Sequence, residues 1–208
     1  MTFLRPLFAV GAAALIAVTL SAAPVSSARA DDVKDGQVLI NQLMDSAIRD
    51  FGGKTLPFAQ TDALLRDYIA KFGSVPLSSQ DILGRYWSKA TPEEQAEFQK
   101  LAVDYAIGSW SKQLADMPAQ QSLQFTTAET TPEGRIIQHS LVTNSDTTAV
   151  DWQVAHAEDG HLVISDVSVN GVSMVQTMKA DFSTIIRANG GKVSALLDAL
   201  RAKIASYK

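Results

Sequence analysis

Between Ser122 and Val169 the apolar residues of this chain alternate along the sequence, whereas before and after that region they recur every third or fourth position. That switch restricts the possible architectures more than any other feature. A period of 2 lines the face of a strand, and a period near 3.6 lines one side of a helix. "SLQFTTAE" alternates Leu123, Phe125 and Thr127. "RIIQHSLVTN" sends Ile137, His139 and Leu141 to one side and Ile136, Gln138, Ser140 and Val142 to the other. "TTAVDWQVAH" puts Thr148, Val150, Trp152 and Val154 on one face, and "HLVISDVSVN" alternates Val163, Ser165, Val167 and Val169. The turns "NSD" and "EDG" between these runs are hairpin punctuation. A four-stranded antiparallel meander with one apolar face follows.

The flanking segments read as helices. Leu39, Ile40, Leu43, Met44, Ala47, Ile48 and Phe51 form one stripe, ended by "FGGK". A second helix is expected from about Thr61 to Phe72, and a short one from Ser79 to Trp87. Thr91, Pro92 and Glu94 then make a capping box that opens a long helix reaching about Gln113. Its stripe is Phe98, Leu101, Ala102, Tyr105 and Ala106. The spacing predicts a further helix from Val172 to Ala188, stopped by "NGG", and a last one carrying Leu196, Leu197, Leu200 and Ile204. Helices gathered on one side of an antiparallel sheet make an α+β domain, here with the helices on the concave face of the sheet around an apolar cavity.

The first residues stand apart from this pattern. Arg5, an apolar run from Leu7 to Leu20 and the small-x-small triplet Ala28-Arg29-Ala30 have the order of a secretory signal cleaved after Ala30. The remainder, 31–208, is expected to be one domain. It has no cysteine, so an exported chain of this kind must rely on burial without disulfides. A net charge of −4 with no dense basic patch argues against nucleic acid as partner.

Motifs for chemistry are sparse. His139, His156 and His161 lie in the strand region without helical ligand spacing, so no metal site is expected. No nucleophile elbow, phosphate loop or dinucleotide fingerprint occurs, and no cofactor is expected. An inward Asp151 or Asp166 opposite Tyr86 or Tyr105 would make a ketosteroid-isomerase-like site, the enzymatic alternative. What remains is apolar shape: Val150 and Trp152 on the sheet face Tyr86, Trp87, Phe98, Tyr105, Met174, Met178 and Phe182 on helices. The two methionines, one turn apart, suit a contents-adaptable wall.

Two stretches, "LGRYWSKATPEEQAEFQKLAVDY" and "ISDVSVNGVSMVQTMKADFSTIIRANGG", resemble the MlaC family of periplasmic phospholipid-binding proteins, also described as toluene-tolerance auxiliary proteins. The resemblance runs from about Val38 to Ile204. It implies a soluble periplasmic shuttle that takes phospholipid between an inner-membrane ABC transporter complex, with its substrate-domain subunit, and an outer-membrane lipoprotein complex. It further implies a lipid cavity between sheet and helices, which the apolar stripes are expected to line with Leu83, Tyr86, Trp87, Phe98, Leu101, Tyr105, Val142, Val150, Trp152, Val167, Val169, Val172, Met174, Met178 and Phe182. Where the family usually has tyrosine and arginine this chain has Met178 and Lys179, so a hopanoid or other polycyclic lipid is an alternative cargo.

Overall fold

The computed structural model describes residues 30–207, and the expected leader lies outside them except for Ala30, with which the first helix opens. The elements run α1 (Ala30–Phe51), α2 (Phe58–Phe72), α3 (Val75–Leu83), a 3-10 turn (Gly84–Lys89) and α4 (Pro92–Ala115). The strands follow as β1 (Ser122–Thr130), β2 (Ile136–Thr143), β3 (Thr147–His156), β4 (Leu162–Val169) and β5 (Val172–Ser173), before α5 (Met174–Ala188) and α6 (Val193–Ala205). The strands form one antiparallel sheet in the order β1-β2-β3-β4-β5. The α+β class is as the periodicity indicates, with five strands in place of four.

The added strand corrects the start of the fifth helix. Val172 pairs with Val169 across the Asn170-Gly171 turn, and the helix begins only at Met174. Both turn residues have positive φ, 50° and 79°, which suits asparagine and glycine and tightens the hairpin. Ser173 caps α5 by accepting from Gln176 N at 2.9 Å. The capping box of α4 is formed as its sequence indicates: Thr91 Oγ1 accepts from Glu94 N at 3.2 Å, and Glu94 Oε2 from Thr91 N at 3.0 Å.

Strand β4 also departs from simple alternation. Gln153 pairs with Asp166, but Val154 pairs with Ile164, so Ser165 is an extra residue in β4. This bulge shifts the pleat by one position. Ile164 and Val167 thereby share the inner face, and Val163 turns to the outer one with Ala155. Ser165 is tied down by a hydrogen bond to Gln153 Oε1 at 2.9 Å. Arg135 joins the same oxygen at 2.8 Å and reaches Asp81 of α3 at 3.0 Å.

Burial divides into two cores. The first joins α1 and α2 to the inner sheet face, with Ile40, Phe51, Phe72, Trp152 and Val154 among its members. Helix α1 reaches the sheet through the fully buried Gln138, whose Nε2 donates to Val33 O at 2.7 Å. Trp152 Nε1 donates to Ser140 Oγ at 3.0 Å, so the polar groups inside the sheet face are paired. The second core joins α3, the 3-10 turn, α5 and α6 around Phe98, Phe182, Leu196 and Leu197. Helix α4 contributes to both, Phe98 to the second and Ile107 to the first. Near the end of the described chain Tyr207 lies on Gly108 of α4, where a Cβ would stand 2.0 Å from the ring, and its hydroxyl meets Ser109 Oγ at 3.0 Å.

Phe98 has no exposed surface and meets Phe182 edge-on, ring centroids 6.1 Å apart. Phe98→Ala is expected to remove about 3–5 kcal/mol of stability. Urea unfolding checks this, and a loss well under 1 kcal/mol would show that the second core is not the closely packed body described.

Candidate functional site

Between the two cores lies an apolar cavity of about 560 Å³, within the usual range of ligand pockets of about 300–1,000 Å³. Its wall is built from helix stripes. Leu43, Met44, Ala47 and Phe51 come from α1, at spacings that place them on one side. Leu65, Tyr68, Ile69 and Phe72 do the same from α2. Helix α4 contributes Ala102, Ala106 and Trp110, four residues apart in turn. The two alanines present small side chains where larger ones would fill the space. The sheet closes one side with Trp152, Ile164 and Val167, and α5 another with Met174, Val175 and Met178. Polar groups stand at three places: Ser74, Ser78 and Ser79 at α3, Ser165 and Asp166 on β4, and Gln113, Asp116 and Gln121 at the end of α4 and after it.

Of the residues expected on this wall, the structure places Trp152, Val167, Val169, Met174 and Met178 there. The others lie elsewhere. Leu83, Tyr86, Phe98 and Phe182 are interior members of the second core, with Trp87, Leu101 and Tyr105 packed against it. Val142 and Val150 belong to the first core away from the cavity. Val172, on the two-residue edge strand, is 59% exposed. The reason is α6, whose Leu196, Leu197 and Leu200 pack with α4 and α5 in the second core, where Phe98 and Tyr105 meet Phe182 edge-on.

The wall residues of α1 and α2 are absent from the sequence expectation. Their stripes are plain, but a stripe reports burial and not what lies opposite. The run Ala102, Ala106, Trp110 was the available signal, since small residues repeated one turn apart leave room beside a helix.

Tyr68 shows how the wall is held. Its ring faces the cavity and stacks edge-on with Phe51 and Phe72, centroids 5.9 Å apart in both cases. Its hydroxyl donates to Asp50 Oδ2 at 2.6 Å, fastening α2 to α1. Burial, then the neighbouring carboxylate, push the phenol well above its ordinary range. Asp50 is held below the usual carboxylate range by its hydrogen bond to Arg49 first and to Tyr68 second.

The carboxylates considered for acid–base work have structural partners. Asp151 faces away from the cavity and meets His139 Nδ1 at 2.8 Å. Asp166 borders the cavity, where one oxygen accepts from Val167 N at 2.8 Å and Val175 N at 3.0 Å while the other accepts from the Ser173 hydroxyl. Tyr86 instead accepts from Arg85 Nη2 at 3.0 Å, and Tyr105 packs edge-on against Phe182 in the second core. His156 meets Gly160 O at 2.9 Å, and His161 pairs with Asp159. Among the described residues no cluster of three or more histidine, aspartate or glutamate side chains could hold a metal ion. The arrangement is suited to enclosing apolar chains.

A family model described as MlaC protein matches residues 40–202. A search of curated protein sequences finds no match. Among solved structures, the phospholipid-binding protein from Ralstonia solanacearum, in complex with a phospholipid, superposes with a TM-score of 0.73 at 22% identity, over 82% of this chain and 97% of that one. At that identity the likeness establishes a common fold.

Tyr68→Phe is expected to cost about 1–2 kcal/mol at neutral pH through loss of the bond to Asp50. Because the folded Asp50 titrates below its unfolded value, its contribution is present above the unfolded pKa and is lost as pH falls through the folded one. The variant raises the folded pKa toward the ordinary value, so its stability deficit should shrink in acid. Urea midpoints for both proteins between neutral and strongly acid pH test this; a deficit independent of pH would contradict it.

Proposed function

The chain belongs to the MlaC family, and from that premise we propose that it is a periplasmic lipid carrier. The cavity takes the acyl chains of a phospholipid, and the protein moves the lipid between an inner-membrane ABC transporter complex, through its substrate-domain subunit, and an outer-membrane lipoprotein complex. The observation that carries this reading is the apolar cavity of about 560 Å³ walled by α1, α2, α4, α5 and the sheet. Family membership and a fold shared with a phospholipid-binding protein support phospholipid as the ligand.

The energetics suit a shuttle. Each buried CH₂ contributes about 0.8 kcal/mol, so two acyl chains bind strongly without a dedicated polar grip. A membrane interior offers the same apolar surroundings, and transfer between the two is close to balanced. Directional energy then comes from the partner transporter, consistent with a carrier that performs no chemistry of its own. Gln113, Asp116 and Gln121 give a polar border at which a head group stays hydrated.

A second cargo, a hopanoid or related polycyclic lipid, is favoured by one observation: Met174 and Met178 both line the wall, and thioether side chains adapt to varied shapes.

Solvent extraction of the purified protein followed by lipid mass spectrometry tests the proposal and identifies the class carried. Phospholipid or polycyclic lipid should be recovered, and no co-purified or exchangeable lipid would overturn it. Met174→Glu should lower lipid retained by about tenfold or more, since a carboxylate on an apolar wall must be desolvated or neutralised. Its circular dichroism should match the parent protein; undiminished lipid in a folded variant would remove Met174 from the binding wall.

A further inference from the structure

Four arginines of this acidic chain are spent on carboxylates: Arg49 on Asp50, Arg66 on Asp62 and Asp104, Arg135 on Asp81, and Arg201 on Glu97 and Asp198. A second group of cations is arranged differently. Arg85, Lys179 and Arg187 line one surface groove of about 540 Å³ between the 3-10 turn and α5, together with Gln176, Ser183 and Thr184. Among the described residues no carboxylate lines this groove, and none of its three cations forms a salt bridge.

The groove is built. Gly84 has a φ of 50° and no side chain, and Lys179 lies across it, with Cε 3.0 Å from where a Cβ would stand. Arg85 is laid over the ring of the buried Tyr86, its Cζ 5.0 Å from the centroid, and Nη2 donates to the Tyr86 hydroxyl at 3.0 Å. Lys89 stands near the same ring, at 5.8 Å. Arg187 is steadied by donating to Thr184 Oγ1 at 3.1 Å. Tyr86, expected to face a ligand cavity, thus acts as a positioning residue for a cation on the outside.

We propose that this groove is a docking site for an acidic segment of a protein partner. Lys179, Ser183 and Arg187 recur every four residues on α5, so the terminal cations are about 12 Å apart along the helix. A row of that length fits several carboxylates in sequence better than one phosphate. Ser183 between these cations, and Gln176 beside them in the groove, can bond a peptide backbone. The large apolar side chains exposed on the described surface, Val38, Phe58, Val169 and Val172, are not in the groove, so nothing there would insert into a bilayer. The groove shares no residue with the cavity, and the proposal stands whether or not the cavity carries lipid.

Fluorescence anisotropy with a labelled oligoglutamate peptide at low ionic strength tests it. The unaltered protein should bind, and Lys179→Glu with Arg187→Glu should weaken binding by about tenfold or more. Lys34→Glu with Lys100→Glu makes the same change in net charge on exposed positions elsewhere and should leave affinity within about twofold. Equal weakening by both pairs would reduce the effect to bulk charge and overturn the site. Failure of the unaltered protein to bind overturns it too, as does groove-dependent binding of phosphatidylglycerol vesicles or inorganic phosphate without the peptide. Circular dichroism confirms that each variant is folded.

Discussion

Helix α4 carries a different neighbour on each of three sides, and the cavity exists because of it. Phe98, Leu101 and Tyr105 face the core shared with α5 and α6. Val103 and Ile107 face the core of α1, α2 and the sheet. Between these two stripes run Ala102, Ala106 and Trp110, which line the cavity, Ala102 also packing against the second core. With 24 residues, the helix is about 36 Å long, enough to span both bodies. Two cores held apart by a shared rod leave a gap that neither can close.

That gap has to be tolerated by a chain without cysteine. The compensation lies in how firmly each core is tied. Gln138 pins α1 to the sheet from inside, Tyr68 fastens α2 to α1 from outside, and Arg135 holds α3 against the outer face through Asp81 and Gln153. Among the described residues no buried side-chain polar atom is left without a partner, so the void is not accompanied by polar defects.

Local signals in the sequence described the fold well. The change of period, the capping box at Thr91 and the turns at Asn144 and Asp159 depend only on residues close in the chain. The bulge at Ser165 does not announce itself, because Val163, Ser165, Val167 and Val169 alternate on paper as an unbroken strand would; only pairing with β3 reveals the extra residue. The site was less legible. Tyr86 and Phe98 drew attention as wall candidates, yet both are buried in the second core, and the wall takes its rings from Phe51, Tyr68, Phe72, Trp110 and Trp152. The wall depends on small residues and on which stripes are left without a facing helix. That is a property of the assembled elements, and no single stretch encodes it.

Asp166 has a consequence for whatever sits at the cavity. The first turn of a helix presents free amide donors and a partial positive charge, a natural seat for a phosphate. In α5 that end borders the cavity at Met174 and Val175, but Asp166 already occupies the Val175 amide and Ser173 that of Gln176. Those two amide donors are therefore taken by the protein's own side chains and are not open to a phosphate. Under the proposed lipid carriage, the grip at this end falls to the apolar wall of Met174, Val175 and Met178.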